Sequence, residues 1–170
     1  MGRVEGFSFN TVCALAYGVF CYTRGMIIRS NSLEDTEKIA ERFVNSIPKQ
    51  NVSGAFVVGL TGDLGSCKTT FVKGVAKALK IKEVVTSPTF IIEKIYKISA
   101  NKNFDYLIHI DAYRIEDPDE ILALGFMDIL KNAKNLIIIE WPEIIKKILP
   151  KETKIIYFKF IDEETREITI

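Results

Sequence analysis

The chain has 170 residues, the length of one ordinary domain. Apolar residues make up 48% and charged residues 26%, enough to build a core and far from the composition of a disordered chain. Lysine plus arginine number 23 against 22 acids, a net charge of +1. Proteins that grip nucleic acid alone carry a basic surplus, so the balance argues against autonomous, tight RNA or DNA binding and leaves only a local patch open. Cys13, Cys21 and Cys67 are odd in number and widely spread, and His109 is the only histidine. That pattern offers no zinc spacing and no disulfide framework, and a reduced, cytoplasmic setting fits it.

Residues 1–25 read unlike the rest. Val12 to Tyr22 is apolar but broken by Ala14, Ala16 and Gly18, and is far shorter than the ~20 residues a membrane span needs. The favoured reading is a dispensable extension, with Met26 as the natural start; an extra packed element and a targeting segment are the alternatives. From Met26 the pattern is orderly. Ser32 is placed to cap a helix in which Leu33, Thr36, Ile39, Ala40, Phe43, Val44 and Ile47 share a face, closed by Pro48. Ala55 to Leu60 reads as a strand buried on both faces. Phe71 to Leu79 is helical in pattern, and 91–98 alternates as a strand. A turn at Asn101-Lys102-Asn103 leads to a strand over Tyr106–Ile110. Pro118 to Lys131 is helical with an interruption at Gly125, and Leu136 to Ile139 is another buried strand. Pro142 is expected to open a short helix. The tail reads as a hairpin, Lys154–Ile161 and Arg166–Ile170, around Asp162-Glu163-Glu164.

The chemistry lies in Gly62-Asp63-Leu64-Gly65-Ser66-Cys67-Lys68-Thr69-Thr70, between a strand and a helix. Backbone N–H groups of such a loop form a nest for phosphate oxygens. Lys68 would lie along the β- and γ-phosphates, Thr69 would offer its hydroxyl to Mg²⁺, and Thr70 would reach the α-phosphate. The loop matches G-x-x-x-x-G-K-[ST] at every defined position except the glycine before the lysine, here Cys67. A side chain forced to positive φ there costs on the order of 1–2 kcal/mol, so weakened nucleotide binding is one expected consequence. A thiol at a helix N-terminus beside a lysine is also a candidate for redox chemistry.

Phosphoryl transfer needs a carboxylate near the metal, commonly at a strand end. Leu136-Ile137-Ile138-Ile139-Glu140 has the form of a Walker B strand, and His109-Ile110-Asp111 also ends a strand in an acid. Thr89, in Ser87-Pro88-Thr89, stands where P-loop switches place a γ-phosphate sensor, although an ordinary turn reads the same. Trp141 is either a core anchor or a site wall. Tyr113 and Arg114 reach a phosphate or partner, or pair on the surface. His109 reads as a strand residue rather than a catalyst.

Taken together, the loop, Ser87-Pro88-Thr89-Phe90, His109-Ile110-Asp111-Ala112-Tyr113-Arg114 and Ile139-Glu140-Trp141-Pro142-Glu143 resemble the bacterial TsaE (YjeE) family over about residues 26–170. The resemblance implies a single P-loop NTPase-like α/β domain whose mixed central sheet is flanked by helices. It implies an ATPase needed for threonylcarbamoyladenosine modification of tRNAs, acting with TsaD and TsaB and meeting tRNA indirectly, with no membrane role. ATP/ADP and Mg²⁺ are the implied cofactors. Carried across by position, Lys68 takes the phosphates, Thr69 and Glu140 the metal, and Thr89 and Asp111 the switch and catalytic-acid positions. Trp141 falls on the family's tryptophan motif, and Thr36 on a threonine near the adenine. Cys67 departs from the family's loop glycine, and residues 1–25 have no counterpart. A scaffold whose turnover is impaired by Cys67 is the competing function. A GTPase is disfavoured, because Asn101-Lys102-Asn103-Phe104 lacks the aspartate of a guanine-reading N-K-x-D, and a small-molecule kinase lacks an arginine-bearing lid.

Overall fold

The computed structural model describes residues 25–48, 54–88, 91–99 and 101–170. Thr89, and the extension as far as residue 24 with Cys13 and Cys21, lie outside the described residues. The elements run β1 (Ile27–Ser30), α1 (Leu33–Ser46), β2 (Phe56–Gly62), α2 (Lys68–Ala78), β3 (Glu93–Lys97), β4 (Tyr106–Asp111), α3 (Asp119–Ala123), α4 (Phe126–Lys131), β5 (Asn135–Glu140), β6 (Lys154–Phe160) and β7 (Arg166–Thr169), with one 3₁₀ turn at Lys146–Ile148. The sheet order is β1-β7-β6-β2-β5-β4-β3. Strands β6, β2, β5 and β4 are parallel neighbours, while β3 joins β4 antiparallel and β7 joins both β6 and β1 antiparallel. The sheet is therefore mixed, as the 91–110 strand pair and the C-terminal hairpin imply.

Helices cover both faces. On one, α1 and α2 lie over Val58, Leu60, Leu107, Leu136, Ile138, Ile156 and Phe158. Phe71 of α2 is fully buried there, its ring 5.7 Å from that of Phe43 and edge-on to Phe158 at 5.5 Å. Each such ring removed from water contributes roughly 1.5–3 kcal/mol. The two helices approach closely at Gly74, where a Cβ would stand 2.7 Å from Glu37 Cα. The other face packs Val57, Ile108, Ile110, Ile137 and Ile139 against Ile121 of α3 and Phe126 of α4. Ser32 caps α1 by accepting the Asp35 N–H at 3.0 Å. Gly125, at φ 84, separates α3 from α4.

Three expectations change. The segment after Pro142 is not a helix opened by proline. Its N–H groups bond three residues back, Ile144 to Trp141 and Ile145 to Pro142, giving consecutive turns that seat the fully buried Ile145. The strand expected over 91–98 is shorter, because Ile91 and Ile92 both donate to Pro88 O and form a turn before β3. β1 has no counterpart in the sequence reading: it is a four-residue edge strand with Ile27 67% exposed, too short and too open for a burial pattern to show.

Candidate active site

At the carboxyl end of β2 the backbone turns at Gly62, φ 150, where a Cβ would lie 2.2 Å from Phe158 O of the adjoining β6. Glycine is the residue that lets the two strands close up here. The loop then folds back, Ser66 N–H donating to Asp63 O at 3.2 Å, and passes through left-handed backbone at Gly65 (φ 78) and Cys67 (φ 73). Cys67 therefore adopts the conformation for which the motif uses glycine, at an expected cost of about 1–2 kcal/mol. Its carbonyl accepts the Phe71 N–H at 3.0 Å and so opens α2 at Lys68, three residues before the apolar pattern begins. No Cys67 side-chain hydrogen bond caps this helix. Its first-turn N–H groups, Lys68, Thr69 and Thr70, have no intrahelical acceptors, the arrangement that attracts an anion. Ser66 Oγ is buried in the same loop with no hydrogen-bond partner among the described residues.

Lys68 is 5% exposed. Its Nζ donates to Gly62 O at 2.6 Å and Asp63 O at 2.9 Å, and stands 4.1 Å from the centre of the Trp141 ring. Burial holds its pKa below the ordinary lysine value, while the charges of Glu140, Glu143, Asp111 and Asp63 pull it upward. Trp141 has φ 59, a strained value for a tryptophan at a strand end, and its ring also lies 5.2 Å from that of Tyr113. It is thus a wall of the site.

The two acids are brought together by register, since Asp111 of β4 pairs with Glu140 of β5. Both are nearly buried, at 5% and 4% exposure. Glu140 accepts the Thr69 hydroxyl, 2.9 Å to Oε1 and 3.1 Å to Oε2. Asp111 accepts Ser87 Oγ at 3.1 Å and the Tyr113 N–H at 3.1 Å. Donating its proton to Glu140 leaves the Thr69 oxygen's lone pairs for a cation. Among the described residues no group of three or more His, Cys, Asp or Glu side chains is placed to hold a metal. A divalent ion here would need phosphate oxygens beside Thr69 and Glu140, which is how Mg²⁺ is commonly held with a nucleotide. The donor set fits that ion.

A cleft of about 400 Å³ joins these groups, and the loop from Leu64 to Thr70 lines it together with Ser87, Asp111, Glu140 and Trp141. Gly62 and Asp63 shape it through the carbonyls that hold Lys68. Thr36 does not line it: that side chain is fully buried, its hydroxyl 2.8 Å from Ser30 Oγ and 3.3 Å from Ser32 O. The α1 residue facing the cleft is Leu33. Arg166 is a further lining residue that the sequence reading missed, its guanidinium donating to Asp162 O, Glu163 O and, at 3.3 Å, Gly65 O. No local pattern marks it, because a hairpin brings it to the loop from a hundred residues away. Tyr113 lines the cleft and Arg114 does not. His109 is buried against Glu140, Nε2 to Oε1 at 2.9 Å.

A phosphate-type loop leaving one parallel strand, beside a second that ends in an acid, is the P-loop NTPase-like arrangement. The crystal structure of YdiB from Bacillus subtilis has this fold in common with the chain: the TM-score is 0.66 at 30% identity, covering 86% of this chain and 84% of that one. The family model described as threonylcarbamoyl adenosine biosynthesis protein TsaE matches residues 30–168. A protein named tRNA threonylcarbamoyladenosine biosynthesis protein TsaE from Rickettsia typhi is 38% identical over 141 residues, 82% of this chain and 90% of that protein. Its namesake from Bacillus subtilis is 42% identical over 113 residues, 66% of this chain and 67% of that protein. The chain belongs to the TsaE family. Among the described residues no helix is long and apolar enough to cross a membrane.

Proposed function

We propose that residues 26–170 form an Mg²⁺-dependent ATPase serving tRNA threonylcarbamoyladenosine biosynthesis with TsaD and TsaB, in the cytoplasm. The observation that carries the ATPase reading is the hydrogen bond from Thr69, at the head of α2, to Glu140, at the end of the neighbouring strand. It pairs the two residue types that hold Mg²⁺ in P-loop enzymes. The role in tRNA modification comes from the family's name, and the partners from the resemblance. A net charge of +1 suits a subunit that leaves tRNA to its partners.

In this reading the loop N–H groups and Lys68 bind the phosphates, Lys68 exchanging the Gly62 and Asp63 carbonyls for phosphate oxygens. Thr69 and Glu140 would hold Mg²⁺, which would supply charge neutralisation for the phosphates when bound. Asp111, beside Glu140, orients the attacking water. Trp141 and Tyr113 wall the cleft and exclude other water. Thr70 reaches the α-phosphate, and an adenine at this end of α1 meets Leu33 rather than Thr36. Thr89 keeps its switch role on the resemblance alone. Residues 1–25 are an extension to this domain.

The ATPase is favoured over an impaired scaffold because Cys67 holds φ 73 and α2 still opens at Lys68. The test is phosphate release from Mg·ATP, alone and with TsaD and TsaB. Slow turnover raised by the partners, lost on binding-deficient Lys68→Ala and reduced in Glu140→Gln, is expected. Equal, near-normal hydrolysis in both variants would overturn the assignment, and partner binding indifferent to nucleotide would favour the scaffold.

A further inference from the structure

We propose that His109 is a positioning residue for the metal site: it occupies one oxygen of Glu140 and so presents the other to the cation. The proposal rests on the ATPase reading above. Along β4, Leu107, His109 and Asp111 point to the α2 side of the sheet, where Leu107 joins the core under α1 and α2. In register Asp111 lies opposite Glu140 and His109 opposite Ile138. The imidazole therefore reaches one pair diagonally along the ladder to the carboxylate, beneath the loop rather than in the cleft.

His109 is fully buried. A carboxylate only accepts, so Nε2 is the donor in this pair. Oε1 thus takes two donors, His109 Nε2 at 2.9 Å and Thr69 Oγ1 at 2.9 Å. Oε2 takes Thr69 alone, at 3.1 Å. Thr69 has one hydroxyl proton for the two oxygens, so Oε1, which also takes His109, is the more occupied and Oε2 the freer for a ligand. Nδ1 meanwhile has no hydrogen-bond partner among the described residues. A residue serving only the core would be better as leucine, which fills the strand without burying an unpaired nitrogen. Groups that orient a metal's ligands are commonly worth 10–100-fold in metal affinity.

The experiment compares His109→Gln with His109→Asn in the full chain. Glutamine carries its amide nitrogen about as far from the backbone as Nε2, whereas asparagine falls short of Glu140. ADP binding is measured by calorimetry across an Mg²⁺ series and in EDTA, with melting followed alongside. Expected is a rise of about tenfold in the Mg²⁺ needed for half-maximal tightening in His109→Asn. His109→Gln stays within about twofold of the parent, and ADP affinity in EDTA is unchanged in both. Any stability loss common to both amides is separated from the metal effect by that contrast. Equal Mg²⁺ dependence in the two variants overturns the proposal. Absence of Mg²⁺-dependent ADP binding in the parent chain overturns the ATPase reading and this proposal with it.

Discussion

Replacing Cys67 by glycine removes a side chain from left-handed backbone at φ 73, ψ 23. Relief of that strain is worth about 1–2 kcal/mol. Glycine also frees the unfolded chain, which takes back about 0.4–1 kcal/mol. The net gain lies between about 0 and 1.6 kcal/mol, and at 2–4 °C per kcal/mol for a domain of this size the melting temperature rises by up to roughly 6 °C. The loop holds this conformation while Lys68 is bonded to the Gly62 and Asp63 carbonyls, so the strain falls on folding rather than on ligand capture. Affinity for Mg·ATP is therefore expected to change by less than about threefold, well under 1 kcal/mol. Thermal melting of the two chains, followed by calorimetric titration of each, reads both quantities. A lower melting temperature for Cys67→Gly would refute the strain assignment. Binding seen only with glycine would show that cysteine blocks the cradle, and the scaffold reading would then lead.

Gly62→Ala places a Cβ 2.2 Å from Phe158 O at φ 150, and a loss on the order of 3 kcal/mol or more is expected in urea unfolding. Arg166→Ala deletes the donors that tie the hairpin turn to itself and to Gly65 O, as well as the stack on Phe160. A loss of about 2 kcal/mol is expected by the same measurement, with weaker ADP binding by calorimetry as the loop loosens. Glu140→Gln keeps an acceptor for Thr69 but removes the charge facing the metal, so ADP binding in EDTA should persist while its tightening by Mg²⁺ falls by about tenfold or more.

The parts of the molecule legible in the sequence are those whose signal is local. The α1 stripe of Ile39, Ala40 and Phe43, the apolar run of β5 ending in Glu140, and the glycine loop before Lys68 each announce themselves within a dozen residues. What stayed hidden depends on contacts between distant segments. Thr36 shares the buried face of α1, and only the fold shows its hydroxyl committed to Ser30 while Leu33 turns toward the cleft. Arg166 reaches Gly65 because β7 folds back along β6. The register of β4 against β5 decides that His109 meets Glu140, and no spacing along the chain encodes that register. Pro142 misleads because its helix-opening preference is local, whereas the turns that follow are set by burying Ile145.

The most direct test of an Mg·ATP site at the head of α2 is calorimetric titration of Mg·ATP into the chain and into Lys68→Ala, each repeated in EDTA. Saturable micromolar-range binding by the parent chain is expected, weakened without Mg²⁺ and absent from the variant. No binding by the parent chain, or the same binding after Lys68 is removed, would contradict it.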